Sequence, residues 1–83
     1  MTILYFAWVR QKAGRGEETL ALPAQVKTVA DLVAFLGTRG GGFAEAFADL
    51  KRVRAAVNQE HAAFSVTLTD HDEVAFFPPV TGG

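Results

Sequence analysis

Chemistry has few side chains to work with in these 83 residues: two histidines, a single serine and no cysteine. The missing thiols exclude a disulfide framework, a thiolate nucleophile, Cys-ligated zinc and Fe–S clusters. His61 and His71 stand ten residues apart, without the HxxxH or HxH spacing of a paired ligand set. A Ser–His–Asp site would have to use Ser65. The strongest signal is instead the chain end, Phe76-Phe77-Pro78-Pro79-Val80-Thr81-Gly82-Gly83. Pro78-Pro79 favours an extended, polyproline-type segment that projects the chain end away from the domain at low entropic cost, which argues against a merely frayed end. Gly82 and Gly83 have no Cβ and can pass a channel too narrow for other residues. The reactive group is then the main-chain carboxylate of Gly83. A partner using ATP can activate it as an acyl-adenylate, which sulfur or an amine then attacks.

Other candidates carry less. Asp70-His71-Asp72-Glu73 has the residue types of a metal or acid/base cluster but reads as a solvated turn, since adjacent strand residues face opposite ways. Arg39-Gly40-Gly41-Gly42 lacks the GxxxxGK[ST] spacing of a phosphate loop. Lys51-Arg52-Val53-Arg54 reads as a solvated strand edge, with contact to an acidic partner as the alternative. Arg10 either ion-pairs with a partner or simply ends a strand.

Periodicity predicts the elements that must position the tail. Residues 2–9 are rich in β-branched and aromatic types and predict a strand. Ile3, Tyr5, Ala7 and Val9 face one way and Leu4, Phe6 and Trp8 the other. Ala13-Gly14-Arg15-Gly16 marks a turn into a second strand over 17–22, closed by Pro23, which makes a hairpin. Thr28-Val29-Ala30-Asp31 is a capping-box signature. Val29, Leu32, Val33 and Leu36 then trace one face of a helix, with Gly37 placed to stop it. After a flexible connector at 39–42, Phe43, Ala46, Phe47 and Leu50 predict a short second helix. Val53, Ala55 and Val57 predict a half-buried third strand. Asn58-Gln59-Glu60 turns the chain into a short strand over 62–64. Residues 69–72 turn again, and Glu73–Phe77 form the last strand, stopped by Pro78-Pro79.

This order predicts an α+β domain over residues 1–77: a mixed sheet packed on one main helix with a short second helix, the ubiquitin-like β-grasp arrangement. Residues 78–83 form an extended tail. The crossover rule places the third strand parallel to the first if they share the sheet. Val74 and Phe76 share one side of the last strand, so Phe77 falls on the other. There it can join Phe6 and Trp8 in an exposed aromatic patch of the kind that marks partner surfaces, unless a loop covers it.

Composition narrows the setting. Eight Lys and Arg against nine Asp and Glu leave no basic excess for nucleic acid or anionic lipid. No apolar run approaches the roughly 20 residues of a membrane span. The start, Met1 to Phe6, has no basic n-region and reads as a strand, not a signal peptide. A soluble cytoplasmic domain is expected.

The stretch Asp72-Glu73-Val74-Ala75-Phe76-Phe77-Pro78-Pro79-Val80-Thr81-Gly82-Gly83 resembles the C-terminal signature of molybdopterin synthase small subunits. Leu4 to Arg10 and Ala55-Ala56-Val57-Asn58-Gln59 are similar to that family too, while His71 stands where the family usually has glycine. The resemblance implies a sulfur carrier for molybdenum cofactor synthesis that binds no cofactor itself and leaves catalytic side chains to its partner. A ubiquitin-activating-like enzyme would use ATP to adenylate Gly83, and a sulfur donor would convert it to a thiocarboxylate. The tail of Pro78, Pro79, Val80, Thr81, Gly82 and Gly83 would enter the large subunit and give sulfur to cyclic pyranopterin monophosphate. The family assembly is a heterotetramer. By position, Phe6, His61 and Phe77 fall on its hydrophobic contact surface. The alternatives are a thiamine-thiazole sulfur carrier, a modifier conjugated to lysines, and a passive binding module.

Overall fold

The computed structural model describes residues 1–79. The chain runs β1 (Thr2–Tyr5), α1 (Ala7–Ala13), β2 (Glu17–Thr19), α2 (Val29–Gly37), α3 (Gly41–Ala46), β3 (Arg54–Val57), β4 (Glu60–Ala62) and β5 (Glu73–Phe77), with a 3-10 turn at Leu50–Arg52. One mixed sheet is ordered β2-β1-β5-β3-β4. The last strand therefore sits at its centre, parallel to β1 and antiparallel to β3.

That arrangement corrects the expected strand direction. The third strand runs opposite to the first because β5, parallel to β1 and antiparallel to β3, lies between them; the crossover rule fixes the hand of a parallel connection, not whether two strands are parallel. β5 suits the central place. Its Val74 and Phe76 are fully buried. Ile3 and Tyr5 lie beside them on the same face, paired with Val74 and Phe76. Val29, Leu32, Val33 and Leu36 of α2 complete this core. Each such side chain contributes about 1.5–3 kcal/mol by leaving water. Phe47 meets the Phe76 ring edge-on, with centroids 5.1 Å apart.

The capping box forms as expected. Thr28 Oγ1 accepts from the Asp31 N–H at 3.2 Å, and Asp31 Oδ2 accepts from the Thr28 N–H at 3.1 Å. Hydrogen bonds from the Lys27 and Thr28 backbone hold the Asp31 carboxyl below its usual range. The last strand also has its expected bounds.

Four local expectations do not hold. The first strand stops at Tyr5, because Ala7 turns into the left-handed region at φ 52° and the chain winds into α1. Val9 and Ala13, one turn apart, are then buried on that helix. β1 and β2 are antiparallel neighbours, but joined by this helix and not by a tight turn, and β2 ends at Thr19. Gly37 is the last residue of α2, as expected, although no left-handed turn ends the helix there. The helix ends in a right-handed Thr38, and the left-handed residue is Gly40, at φ 75°. The glycine run is no flexible connector either: Gly41 and Gly42 begin α3, where a Cβ on Gly42 would stand 1.6 Å from the Lys12 carbonyl oxygen. Finally, Asn58 and Gln59 both have positive φ, a two-residue turn that starts β4 at Glu60, two residues earlier than expected.

Among the described residues, no helix is long and apolar enough to cross a membrane.

Candidate functional site

The face of the sheet away from α2 carries the candidate site. Register sets its rows: Leu4, Ala75, Ala56 and His61 are successive partners, and Phe77 is opposite Arg54. Phe6 comes directly after β1, and its N–H donates to the Phe76 carbonyl at 3.0 Å. This bond holds the backbone of Phe6 against the end of β5 while its ring is 48% exposed. Phe77 is half-buried on the face opposite Phe76. The His61 ring meets the Phe77 ring edge-on, centroids 5.4 Å apart at 89°. The small side chain of Ala56, the strand partner of both His61 and Ala75, leaves space for that contact.

Phe6, Phe77 and His61 thus lie on one surface at the point where the chain leaves the sheet as Pro78-Pro79. Trp8, expected beside them, does not join. It sits on α1, partly buried against the core, with the Arg52 guanidinium 5.0 Å from its ring centre. Arg10 is exposed on α1 and not at a strand end, its guanidinium lying over Gly16. Val80, Thr81, Gly82 and Gly83 lie outside the described residues.

The acidic turn is occupied by structural bonds. Asp70 accepts from the Leu22 N–H at 2.7 Å and lies 3.4 Å from the Met1 amino group. Asp72 accepts from the Thr69 N–H and from the Asn58 side-chain amide at 2.8 and 2.9 Å. These donors hold both carboxyls below their usual range. No group of His, Asp and Glu fit to hold a metal occurs among the described residues.

Sequence reasoning missed one polar cluster. The hydroxyl of Tyr5, a core residue, donates to Glu18 Oε1 at 2.6 Å, and Arg39 and Arg15 reach the same carboxylate at 2.7 and 3.0 Å. Burial and the bond to Glu18 push the Tyr5 hydroxyl far above its usual range. Burial alone would raise Glu18, but the bonds from Tyr5 and Arg39 and the two arginine charges hold it below. Phe43 lies against Tyr5 and under both guanidiniums. The only hint was a tyrosine facing the core, whose hydroxyl needs a partner.

A five-stranded mixed sheet with β5 at its centre, packed on one main helix, defines the ubiquitin-like β-grasp class. Within it, the chain belongs to the ThiS family, which matches residues 3–83. It is 44% identical over 81 residues to the molybdopterin synthase sulfur carrier subunit of Escherichia coli, covering 98% of this chain and 96% of that one. The subunit of the same name from Homo sapiens is 31% identical over 84 residues, covering 98% and 91%. Among solved structures, one from Pyrococcus furiosus named for molybdopterin converting factor, subunit 1, superposes with a TM-score of 0.69 at 30% identity, covering 95% of each chain. The small archaeal modifier protein SAMP1 from Haloferax volcanii has a TM-score of 0.66 at 24% identity, covering 100% of this chain and 98% of that one, and speaks to the fold alone.

Proposed function

We propose that this chain is the sulfur carrier subunit of a molybdopterin synthase, working in the cytoplasm as a β-grasp domain with a six-residue tail. The observation that carries the reading is its 44% identity, over nearly the whole of both chains, to a subunit of that name. The exposed Phe6 beside Phe77 and His61 supports it, being a surface suited to a partner at the root of the tail.

In this reading an activating enzyme joins the Gly83 carboxylate to the AMP moiety of ATP, releasing pyrophosphate. A sulfur donor then displaces AMP and leaves a thiocarboxylate. The patch docks on the large subunit, in a heterotetramer, and the tail enters its pocket. There the thiocarboxylate sulfur bonds to a carbon of cyclic pyranopterin monophosphate, and water then cleaves the acyl–sulfur bond and restores the Gly83 carboxylate. This chain binds no cofactor, and residues 78–83 offer no ionisable side chain. Donors for the tetrahedral centre at Gly83 therefore come from the partner.

Intact mass measured on protein isolated from its own cells tests the reading. A mass gain equal to exchanging one oxygen for sulfur, lost on incubation with large subunit and pterin precursor, is the expected result. Lysine-linked adducts without that exchange would instead identify a modifier, and sulfur delivered only to a thiazole precursor would identify a thiamine carrier.

A further inference from the structure

Resting on the carrier reading, we infer that Lys51, Arg52 and Arg54 form a cationic rim that meets an acidic surface around the mouth of the large subunit's tail pocket. The register places this rim. Arg54 is the strand partner of Phe77, the residue immediately before Pro78, and belongs to the same outer face. Arg52 and Lys51 precede it in the 3-10 turn that leads into β3. Any protein that takes the tail and covers Phe77 must also pass over Arg54.

All three side chains are exposed, and none has an ion-pair partner among the described residues. Three other cations are paired, Lys12 with Glu45 and Arg15 and Arg39 with Glu18, while Arg10 and Lys27 stand singly, away from the cluster of three. Arg52 is also held in place, stacked over Trp8. The nearest acid in sequence, Asp49, spends its carboxylate on the Lys51 N–H at 3.0 Å, which caps the turn.

Charge is uneven along the sheet, even though Asp49 lies beside the rim and the Met1 amino group beside Asp70. The tail end carries Lys51, Arg52 and Arg54, while Asp70, Asp72, Glu73 and Glu60 cluster at the opposite end, around the start of β5 and the β3–β4 turn. The two ends are separated by the length of β5, about 13 Å. With a net charge of −1 the chain attracts nothing over long range as a whole, but this unevenness gives it a direction. An acidic receptor draws the tail end in and turns the acidic end away, which raises the rate of productive encounter. The rim sits at the mouth and not at the chemistry, because the six tail residues can carry Gly83 up to about 20 Å from it.

The experiment is stopped-flow association of the full-length carrier with its large subunit, across a salt series, for wild type, R54E and K51E. Thermal melts are run alongside, and R54Q serves as a second variant that removes charge without reversing it. The expected result is association slowed about tenfold for R54E and less for R54Q at low salt, with the differences shrinking to within about twofold near 0.5 M salt. Dissociation rates should change little. Rates within twofold of wild type at low salt would overturn the rim. So would slowing that is equal at every salt concentration, since that would be packing and not charge. Failure of the wild type itself to bind would overturn the carrier reading first, and the rim with it.

Discussion

The hydroxyl of Tyr5, on the core face of β1, donates to Glu18 on the neighbouring strand at 2.6 Å. Glu18 is thus a carboxylate at the margin of the core, 10% exposed, held by one tyrosine and two arginines that also cover Phe43. A charge so little solvated depends on every one of those partners.

Tyr5→Phe should therefore destabilise the fold by about 1.5–3 kcal/mol, the usual worth of a hydrogen bond to a charged group. E18Q tests the charge. The folded pKa of Glu18 lies below its unfolded value of about 4.3, so its contribution is complete above that pH and disappears as pH falls through the folded value. Urea unfolding should show E18Q less stable than wild type at neutral pH. The gap should narrow as pH falls below about 4.3, through the lowered folded-state value. A gap independent of pH would show that packing, not ionisation, is at stake.

Two glycines predict opposite outcomes. Gly42 faces the Lys12 carbonyl so closely that any Cβ collides with backbone, and backbone cannot rotate aside. G42A should lose at least the 1–3 kcal/mol typical of overpacking, by parting α1 from α3. Gly37 ends α2 in open space. G37A should gain about 0.4–1 kcal/mol, since alanine restricts the unfolded chain without strain. Paired denaturation curves decide the matter, and equal effects would contradict the helix contact at Gly42.

How far sequence reasoning reaches differs from element to element. β5 and the Thr28–Asp31 box are legible because local pattern determines them: strict alternation, a hydroxyl, an acid three residues on. α1 is not. Phe6, Trp8 and Val9 have strand propensity, and the switch at Ala7 places Val9 and Ala13 in the core, which no local signal records. The glycine run misleads for a similar reason. Flexibility is the usual meaning of three glycines, yet here close approach of two helices requires one of them. At the site, the alternation of β5 puts Phe77 opposite Phe76. Trp8 drops out of the patch because its expected strand is a helix.

Phe76 and Phe77, adjacent in β5, should separate stability from binding. F76A removes a fully buried ring and should cost about 3–5 kcal/mol of folding free energy. F77A removes a half-buried ring on the outer face that touches His61. It should cost clearly less stability while weakening affinity for the large subunit at least tenfold, as an aromatic anchor does. Calorimetric titration alongside thermal melts reads both. A large loss of stability with unchanged affinity would place the partner surface elsewhere.

In the carrier reading, the catalytic groups for sulfur transfer come from the large subunit. Neither histidine is placed for it: His61 packs on Phe77 on the outer face of the sheet, and His71 is exposed in the turn before β5, at the end of the sheet away from Pro78. The tail has no ionisable side chain of its own. Thiocarboxylated protein incubated alone with the pterin precursor should therefore transfer no sulfur. In single-turnover reactions with saturating large subunit, H61A and H71A should match the wild-type rate of the chemical step, although H61A can bind more weakly. A fall of tenfold or more at saturation corresponds to about 1.4 kcal/mol of lost transition-state stabilisation. Seen in either variant, it would mean that this chain contributes a catalytic group after all.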